Sequence, residues 1–357
     1  MEKNLERPDN RCLQEDLEIL ANSDIPFKEM ENSSILITGA TGLVGMNLVL
    51  ALMCCNRINS TGIKIYALVR DEKKAQDIYK DLLDRKDINI VIGDVTRKIC
   101  IDDNIDYIIH CASVTKSEIM VKKPVMTIKT SIEGTDNVLS FAVEKSVKSF
   151  VYVSSMEMYG SFKIPSFNVT ELQIGSINPL DVRSNYPESK RMCENMCIAY
   201  LSEYGVPVKI ARMAQTFGAG ILPGENRVFA QFARSVIENK DIILHTPGKS
   251  EGNYCYTRDA VSALLFILLK GINGEAYNVS NEKTHITIAG MASLVASDIA
   301  NNSIKVIFDI PEENIYGYAA ETKMKLNSDK LKELGWKPEV GLKEAYTRLI
   351  ESMKNCK

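Results

Sequence analysis

Several features that mark whole classes of protein are scarce in this sequence. It contains one tryptophan and three histidines, and its nine cysteines are an odd number without regular spacing. A metal centre needs more ligands in a recognisable pattern, and a disulfide framework needs an even set of cysteines. We therefore expect no bound metal, and we expect free thiols that fit a reducing cytoplasm.

Long apolar runs and an excess of positive charge are missing as well. The longest apolar stretch, residues 260–271, is too short to cross a bilayer. Residues 1–11 are charged and carry no apolar signal core, so export is not expected. The formal net charge of −3 does not suit a groove for nucleic acid. The sequence predicts a soluble protein that binds neither nucleic acid nor a membrane.

What the sequence does contain is an alternation of short β-rich runs with helical segments. Runs rich in Ile and Val, separated by helices, are typical of βαβ units in a parallel sheet that is buried on both faces. The predicted strands are residues 33–38, 64–69, 89–94, 107–113, 149–155 and 206–212, and the predicted helices include residues 71–85, 124–146 and 186–204. The expected fold class is α/β, with a Rossmann-type doubly wound parallel sheet and a smaller C-terminal substrate-binding lobe.

The chain is expected to divide into three parts. Residues 1–32 form an N-terminal extension that packs on the main domain, and residues 33–212 form the dinucleotide-binding domain. Residues 213–357 form mainly the C-terminal lobe, with some segments returning to the sheet. The extension contains one short predicted helix, whose apolar residues could share one face: Leu13, Leu17, Ile19 and Leu20.

A glycine-rich turn joins the first predicted strand to the first helix of the main domain. The stretch ILITGATGLVG, residues 35–45, spaces Gly39, Gly42 and Gly45 three apart. The first glycine permits a tight turn, the second lets the backbone approach a pyrophosphate, and the third lets helix and strand pack closely. The helix N-terminus then presents free N–H groups and the positive end of its dipole. The predicted cofactor contacts are Gly39, Thr41, Gly42, Leu43, Val44, Gly45, Arg70, Asp94, Val95, Cys111, Ala112 and Ser113, with Tyr186 and Lys190.

The end of the second strand bears on the choice between NAD and NADP. An acidic residue there would bind the ribose 2′-hydroxyl, whereas an arginine would favour a 2′-phosphate. Val69 stands where the acid usually lies, and Arg70 follows it. This favours NADP(H), although the nearby Asp71 leaves NAD open, and Arg70 could simply begin a solvated helix.

Tyr186 and Lys190 lie four residues apart on a predicted helix, so their side chains project from one face. A free tyrosine has a pKa of about 10 and is a poor base at neutral pH. A neighbouring ammonium is expected to lower that pKa and favour a phenolate that can take a proton from a substrate hydroxyl. Ser155, at the end of a predicted strand, could hydrogen-bond the same oxygen. Together with the glycine turn, this set predicts hydride-transfer chemistry.

These motifs resemble the extended short-chain dehydrogenase/reductases of the nucleotide-sugar epimerase/dehydratase group, over about residues 33–345. The resemblance implies that Tyr186 is the base, that Lys190 is its partner and binds the nicotinamide ribose, and that Ser155 binds the reacting hydroxyl. It implies that hydride leaves the sugar, usually from C4, and returns from the same cofactor. It also implies a nucleotide-diphosphate sugar as substrate, with a UDP-sugar favoured, and a homodimer formed through the helix that carries Tyr186.

The local resemblance is strongest to UDP-glucuronate decarboxylases. INPLDVRSNYPESKRMCE, residues 177–194, is similar to their stretch around the Tyr–Lys pair, and Glu157 matches the acidic residue of their SEVYG motif. The segment from Ala211 to Phe232 is similar to theirs after the sixth strand, where Arg227 would hold the nucleotide diphosphate. The substrate contacts predicted in this way are Val114, Met156, Glu157, Arg183, Gln215, Thr216, Asn226, Arg227 and Arg258, and Glu157 is also a candidate catalytic residue.

The sequence departs from the family patterns at two informative positions. In 4,6-dehydratases an Asp precedes the matching Glu and helps to expel water, whereas here the residue is Met156, which has no proton to donate. In the decarboxylases an Arg lies four residues before the Tyr of a Tyr-x-x-Asp step, and here that position is Gly252. Arg258 is nearby in sequence. These departures weaken dehydration and decarboxylation.

The leading hypothesis from the sequence is therefore an NAD(P)-dependent nucleotide-sugar epimerase that oxidises a sugar hydroxyl to a ketone and returns the hydride. The alternatives are a UDP-glucuronate decarboxylase-like or 4,6-dehydratase enzyme, and an NADPH-dependent keto-sugar reductase, which would consume NADPH stoichiometrically. A further alternative is a dinucleotide-sensing scaffold without activity. The intact pair of Tyr186 and Lys190 argues against the scaffold.

Overall fold

The computed structural model describes residues 5–162, 166–311 and 321–355. Residues 1–4 of the predicted N-terminal extension, and residues 312–320 and 356–357 of the predicted C-terminal lobe, lie outside the described residues. Within the described ranges there are fourteen strands: β1 (Ser34–Thr38), β2 (Lys64–Val69), β3 (Ile88–Ile92), β4 (Tyr107–His110), β5 (Ser149–Ser155), β6 (Ser166–Val169), β7 (Val208–Met213), β8 (Gln215–Phe217), β9 (Ile242–Leu244), β10 (Glu251–Tyr256), β11 (Ala276–Val279), β12 (Asn281–Thr287), β13 (Val306–Phe308) and β14 (Met324–Leu326).

The same ranges contain eleven α-helices, numbered along the chain. They are α1 (Arg11–Ala21), α2 (Leu43–Asn59), α3 (Glu72–Tyr79), α4 (Ser117–Lys122), α5 (Pro124–Lys145), α6 (Asn185–Tyr204), α7 (Val228–Glu238), α8 (Thr257–Lys270), α9 (Ile288–Leu294), α10 (Asp329–Glu333) and α11 (Leu342–Asn355). In the described part of the chain, none of these helices is both long enough and apolar enough to span a membrane.

A seven-stranded parallel sheet forms the centre of the molecule, in the order β11-β7-β5-β4-β1-β2-β3. Helices α2 and α8 pack on one face and helices α5 and α6 on the other. Every residue of β1 is buried, because both faces of the sheet are covered. The predicted α/β fold with a Rossmann-type doubly wound sheet is confirmed.

The strand order fixes where a ligand can enter this sheet. From β1 the chain moves outward through β2 and β3, and it then crosses back to place β4 on the other side of β1. The carboxyl ends of β1 and β4, where Thr38 lies beside His110, therefore border a crevice at the point where the winding reverses. The glycine turn and the loop after β4 both emerge there.

The N-terminal helix α1 packs on α2 and also contacts α8 and α11. Leu13, Leu17 and Leu20 are buried, as predicted, but Ile19 is 43% exposed. The inclusion of Ile19 in the packed face is wrong. Since each residue turns an α-helix by about 100°, positions four and seven beyond Leu13 return to its face and position six does not.

Besides the central sheet, the described residues form three small sheets, most of whose strands follow β7. These are β8–β10–β12, β9–β13 and β6–β14, while β11 returns to the edge of the central sheet. The parallel pairing of β8 with β10 places Gln215 beside Tyr254 and Thr216 beside Cys255. These small sheets bring segments that are far apart in the sequence close to the end of β5.

Candidate active site

The predicted catalytic residues lie where the end of β5 meets the start of α6. Ser155 is the last residue of β5, and Tyr186 and Lys190 lie in the first turns of α6. A buried ion pair fixes α6 against the central sheet: the Arg212 guanidinium of β7 donates to the Glu194 carboxylate of α6 at 2.7 Å. The Ser154 hydroxyl of β5 donates to the same carboxylate at 2.6 Å. The sheet therefore fixes the position of the catalytic helix.

Tyr186 is buried, and burial is the main reason why its pKa is raised to about 12. The negative charge of Glu157 raises it further, whereas a hydrogen bond from Ser155 and the positive charges of Arg183 and Arg227 lower it. Ser155 and Tyr186 are thus brought together as predicted. Burial therefore makes this phenol a weaker acid than a free tyrosine.

The lowering of the Tyr186 pKa that the sequence predicts from Lys190 does not appear as a net shift. The Lys190 ammonium donates to the Val153 carbonyl at 2.8 Å, and its Nζ lies 4.9 Å from the centre of the Tyr152 ring and 5.7 Å from that of Tyr186. Burial lowers the pKa of Lys190 itself. The expected lowering of the Tyr186 pKa by this ammonium is therefore wrong here, because burial of the phenol outweighs the cations that oppose it.

Two of the predicted substrate residues form an ion pair beside the tyrosine. The Arg183 guanidinium donates to both carboxylate oxygens of Glu157, at 2.9 and 3.2 Å, and its Cζ lies 5.8 Å from the centre of the Tyr186 ring. The Glu157 side chain is 43% exposed. The pair places two opposite charges at the same edge of the phenol.

Met156 and Gly252 are the two positions at which the sequence departs from the family patterns, and in the structure they lie next to each other. A Cβ placed on Gly252 would lie 3.8 Å from Met156 Cε. Met156 also packs against a small apolar cluster that includes Met158, Tyr159 and Met324. The neighbourhood of Ser155 is therefore apolar on this side. Gly252 was not among the predicted site residues, and no spacing in the sequence indicates that it meets Met156.

The glycine turn between β1 and α2 has no room for a side chain at Gly39 or at Gly45. A Cβ on Gly39, whose φ is +65°, would lie 2.8 Å from the backbone of Ala112. A Cβ on Gly45 would lie 2.5 Å from the Gly39 carbonyl oxygen. Gly42 caps α2 without any side-chain hydrogen bond. The first N–H groups of α2, from Leu43 onward, are thus available for an anion.

The loop after β4 completes the opposite wall of the crevice. The Ala112 amide donates to the Thr38 hydroxyl at 3.1 Å, and burial raises the pKa of the Cys111 thiol to about 12. The Ser113 hydroxyl is buried with no hydrogen-bond partner. An orphaned hydroxyl beside a glycine cradle fits a bound dinucleotide, so these residues suit the cofactor that the sequence predicts. Thr41 lies in the glycine turn, Val44 in the first turn of α2, and Val114 directly after Ser113.

The third strand contributes Asp94 and Val95 to the same edge. The Asp94 carboxylate accepts hydrogen bonds from the amide and hydroxyl of Thr96, both at 2.9 Å. Burial acts to raise the pKa of Asp94, but these bonds and the charges of Arg70 and Arg97 outweigh it, so the pKa is lowered. Val95 contacts α5 at Gly134.

Arg70 shares its surroundings with other cations. Burial lowers the pKa of Lys74, and the positive charges of Lys116 and Arg70 lower it further, against the opposing charge of Asp71. Lys116 comes from the segment between β4 and α4. The positive charges of Arg70, Lys74 and Lys116 therefore form a positive edge to which two separate parts of the chain contribute.

The remaining substrate candidates divide into those near the site and one elsewhere. Arg227 acts electrostatically on Tyr186 and is itself paired with Glu225 at 2.8 Å. Asn226 accepts a hydrogen bond from Arg234, and Gln215 and Thr216 lie on β8. The structure places Arg258 in a different environment.

Arg258 is buried in an ion-pair network with the N-terminal helix. Its guanidinium donates to Asp16 at 3.2 Å and to Glu339 at 3.2 Å. Arg258 is the second residue of α8, and both terminal nitrogens of its guanidinium donate to these carboxylates. We therefore remove Arg258 from the substrate-binding residues. Its closeness in sequence to Gly252 misled the prediction, because the chain turns from strand into helix between them.

Comparison with known proteins places these residues in a family context. The model of the NAD dependent epimerase/dehydratase family matches residues 35–280. UDP-glucuronic acid decarboxylase 6 of Arabidopsis thaliana is 28% identical over 329 residues, which cover 90% of this chain and 89% of that protein. UDP-glucuronic acid decarboxylase 1 of Danio rerio is 28% identical over 328 residues, covering 91% of this chain and 73% of that protein.

Solved structures support the fold. UDP-glucose 4-epimerase of Thermotoga maritima, with UDP-glucose, aligns with a TM-score of 0.74 at 22% identity, covering 90% of this chain and 99% of that chain. UDP-glucuronic acid 4-epimerase of Bacillus cereus, in complex with UDP-glucuronic acid and NAD, aligns with a TM-score of 0.74 at 19% identity, covering 91% and 100%. At these identities the likeness concerns the fold alone.

Proposed function

Since the chain belongs to the NAD dependent epimerase/dehydratase family, we propose that it is a nucleotide-sugar epimerase that oxidises a sugar hydroxyl, favoured at C4, to a ketone transiently. One observation carries the proposal. Ser155, Tyr186 and Lys190 lie close together. The residue after Ser155 is Met156, which lies against Gly252 and provides no acidic side chain. The groups for hydride chemistry are present, whereas the accessory residues for elimination and for loss of a carboxylate are each incomplete, at Met156 and Gly252.

Several residues of this chain would act in the oxidation step, each with a different role. A nicotinamide cofactor bound at the glycine turn supplies a reversible hydride acceptor. Tyr186 takes the proton of the sugar hydroxyl, and the Ser155 hydroxyl hydrogen-bonds the same oxygen. Lys190 keeps a positive charge near the phenol, and Arg183 and Arg227 oppose the effect of burial on its pKa. On return of the hydride, Tyr186 gives the proton back.

The apolar side of the site favours epimerisation over dehydration. Expulsion of water from the sugar needs an acid that protonates the leaving hydroxyl, and the Met156 thioether has no proton to give. Gly252, which lies against Met156, offers no side chain either. On the side formed by Met156 and Gly252, the keto sugar would therefore have room to reorient and would meet no acid.

Decarboxylation of UDP-glucuronate is the second candidate, and the curated relatives favour it, since those quoted above are UDP-glucuronic acid decarboxylases. A carboxylate substrate is usually held by a bidentate arginine. The two arginines beside Tyr186 are Arg183 and Arg227, and both are paired with glutamates. We therefore rank it below epimerisation.

A panel of nucleotide sugars distinguishes these reactions. The purified protein is incubated with UDP-, GDP-, CDP- and dTDP-sugars, and the products are identified by NMR. An epimer with no net change in NAD(P)H absorbance supports the proposal, and we expect it with a UDP-sugar. Release of carbon dioxide from UDP-glucuronate would establish decarboxylation instead, and a 4-keto-6-deoxy product would establish dehydration.

For the cofactor we propose a preference for NADP(H) within this NAD-dependent family. The support is the positive edge formed by Arg70, Lys74 and Lys116, together with Val69 at the position where an acid would bind the ribose. Arg70→Ala should weaken binding of NADP⁺ more than binding of NAD⁺, measured by fluorescence titration. An equal loss for both cofactors would leave Arg70 as an ordinary surface residue.

We also propose that the protein is a homodimer formed through α5 and α6. These helices pack on each other, and their outer faces expose apolar side chains: Val125 and Ile128 on α5, and Met192 and Ile198 on α6. A second copy would bury these side chains in an isologous contact. Light scattering should give twice the mass of the chain, and Ile128→Glu should reduce it to that of a monomer.

A cytoplasmic location is proposed on the chemistry of the thiols. All eight cysteines of the described residues are free, and most are buried. Free thiols persist in a reducing compartment. Fractionation of the producing cells should place the activity with the cytoplasm.

A further inference from the structure

We propose that the N-terminal extension positions the loop that binds the nucleotide of the substrate, with Asp16 as the positioning residue. The extension is residues 5–32 of the described chain, and the loop is residues 218–227, between β8 and α7. This inference rests on the proposed function, since it concerns the same nucleotide-sugar site. The geometry of two consecutive loop amides carries it.

The first of these amides is linked to α1 through a tyrosine. The Ala219 amide donates to the Tyr256 hydroxyl at 3.4 Å, and that hydroxyl donates to the Asp16 carboxylate at 2.5 Å. The Tyr256 ring also lies against Gly218, where a Cβ would come within 2.5 Å of it. The start of the loop therefore depends on where Asp16 holds the tyrosine.

The second amide is linked to the same extension through a serine. The Gly220 amide donates to the Ser352 hydroxyl of α11 at 3.0 Å, and the Asn10 side-chain amide donates to that hydroxyl at 2.8 Å. Gly220 has a φ of +84°, and a Cβ there would lie 3.2 Å from Leu13 of α1. Two neighbouring loop residues are thus connected to the extension by separate paths.

Asp16 is held rigidly at the centre of this arrangement. Its side chain is 4% exposed, and it pairs with Arg348 at 2.9 Å and Arg258 at 3.2 Å. These arginines come from α11 and α8, so the carboxylate joins the N-terminal helix to two elements of the C-terminal part of the chain. A side chain fixed on several sides restricts the motion of whatever it contacts.

The far end of the loop reaches the catalytic tyrosine. Arg227, the last loop residue before α7, lowers the pKa of Tyr186 by its charge, and Gln215 and Thr216 lie on β8 just before the loop. A shift of Ala219 and Gly220 would therefore move the groups proposed to hold the nucleotide. The glycine turn belongs to a different segment, although Gly220 also lies against the helix that follows this turn, since a Cβ there would lie 3.0 Å from Asn47 and 3.1 Å from Met46 of α2.

Glu6 provides a matched control within the same extension. It is also a buried carboxylate paired with two arginines, Arg57 at 3.0 Å and Arg85 at 2.8 Å. These partners belong to α2 and to the segment before β3. Arg57 also donates to Glu18 of α1, but the described hydrogen bonds of Arg57 and Arg85 include none to Asp16, Tyr256 or loop 218–227. Loss of Glu6 should loosen the extension without moving the loop.

The test compares Asp16→Asn, Tyr256→Phe and Glu6→Gln in the full-length protein, with UDP as the probe. We expect Asp16→Asn and Tyr256→Phe to raise the Kd for UDP about tenfold in calorimetry, a loss typical of one buried hydrogen bond to a charged group. In Asp16→Asn and Tyr256→Phe the Kd for NADP⁺ should change much less than the Kd for UDP, because the loop meets the helix after the glycine turn only at Met46 and Asn47. In turnover assays, KM for the nucleotide sugar should rise while kcat changes little.

Each outcome has a distinct meaning. If Glu6→Gln raises the Kd for UDP as much as Asp16→Asn, general loosening of the extension explains the effect and the inference is wrong. Unchanged UDP binding in Tyr256→Phe, which keeps the charge network intact, would also overturn it. If the wild-type protein binds no UDP but binds another nucleotide, the proposed UDP-sugar is wrong, and the same comparison is made with that nucleotide.

Discussion

The side of the crevice proposed to bind the cofactor is built from backbone, whereas the side proposed to bind the substrate is built from side chains. At Gly39 and Gly45 an added Cβ would lie within 2.8 Å of neighbouring backbone atoms, so no side chain fits there. Across the crevice, the Glu157–Arg183 pair and the contact of Met156 with Gly252 consist of replaceable side chains. The first side can change little without loss of the fold, and the second can change without affecting it. Shared hydride chemistry and individual specificity follow from this difference.

The strongest test of this comparison removes the phenol that connects the two sides. Tyr186→Phe should lower kcat by ~100- to 10,000-fold, the range for loss of a general acid–base group, because no other hydroxyl replaces the proton acceptor. Cofactor binding should be retained, since the glycine turn is unchanged. Rates are measured by NMR of the product and cofactor binding by titration.

The control is Tyr204→Phe, at the exposed C-terminal end of the same helix, which should keep the full rate. A Tyr186→Phe protein with wild-type turnover would show that the proton is taken by another group.

Two glycine variants separate cofactor binding from folding on the backbone side. A Cβ on Gly42 would lie 3.3 Å from the Gly39 carbonyl oxygen, which needs only a small adjustment, whereas one on Gly45 would lie 2.5 Å from it. Gly42→Ala should therefore weaken cofactor binding by about tenfold or more, ~1.4 kcal/mol, with little change in Tm. Gly45→Ala should lower the free energy of unfolding by ~1–3 kcal/mol, as overpacking does.

Titration and denaturant unfolding on both variants check this prediction. If Gly42→Ala lost stability as much as Gly45→Ala, the turn would be a structural feature alone.

The smallest effect concerns charge on the substrate side. Phenolate is negative, so Glu157 raises the pKa of Tyr186 and Arg183 lowers it. Glu157→Gln should therefore move the rise of kcat/KM with pH to lower pH, and Arg183→Gln should move it to higher pH. The shifts should be modest, because the two residues pair with each other at the protein surface.

The pH profile of kcat/KM reports ionisations of the free enzyme, so it is the appropriate measurement. Shifts in the same direction for both variants would contradict the assignment of Tyr186 as the titrating group.

The parts of the structure that were predicted correctly share one property. Strands β2 and β5 begin and end at the predicted residues, since each contains an uninterrupted apolar run, residues 65–69 and 150–153, flanked by polar residues. The glycine turn lies between β1 and α2 as its spacing predicts. Such local patterns are decided within a few residues of each other.

Apart from Ile19, whose error is one of local helix periodicity, the errors concern contacts between distant segments. Arg258 was assigned to the site because it is near Gly252 in sequence, yet it pairs with Asp16 of the N-terminal helix. The pKa of Tyr186 was expected to fall near Lys190, yet burial raises it. Burial and ion pairing depend on what the rest of the chain brings to a residue, which sequence spacing does not report.

The sequence by itself determined the Rossmann-type sheet, the glycine turn and the face that carries Tyr186 and Lys190, because periodicity and turn chemistry act over short stretches of chain. Only the tertiary structure decided that Met156 meets Gly252, that burial controls the pKa of the catalytic phenol, and that Asp16 connects to loop 218–227 through Tyr256. Each of these joins residues from separate elements, and the packing of the whole chain sets their distances and their exclusion from water.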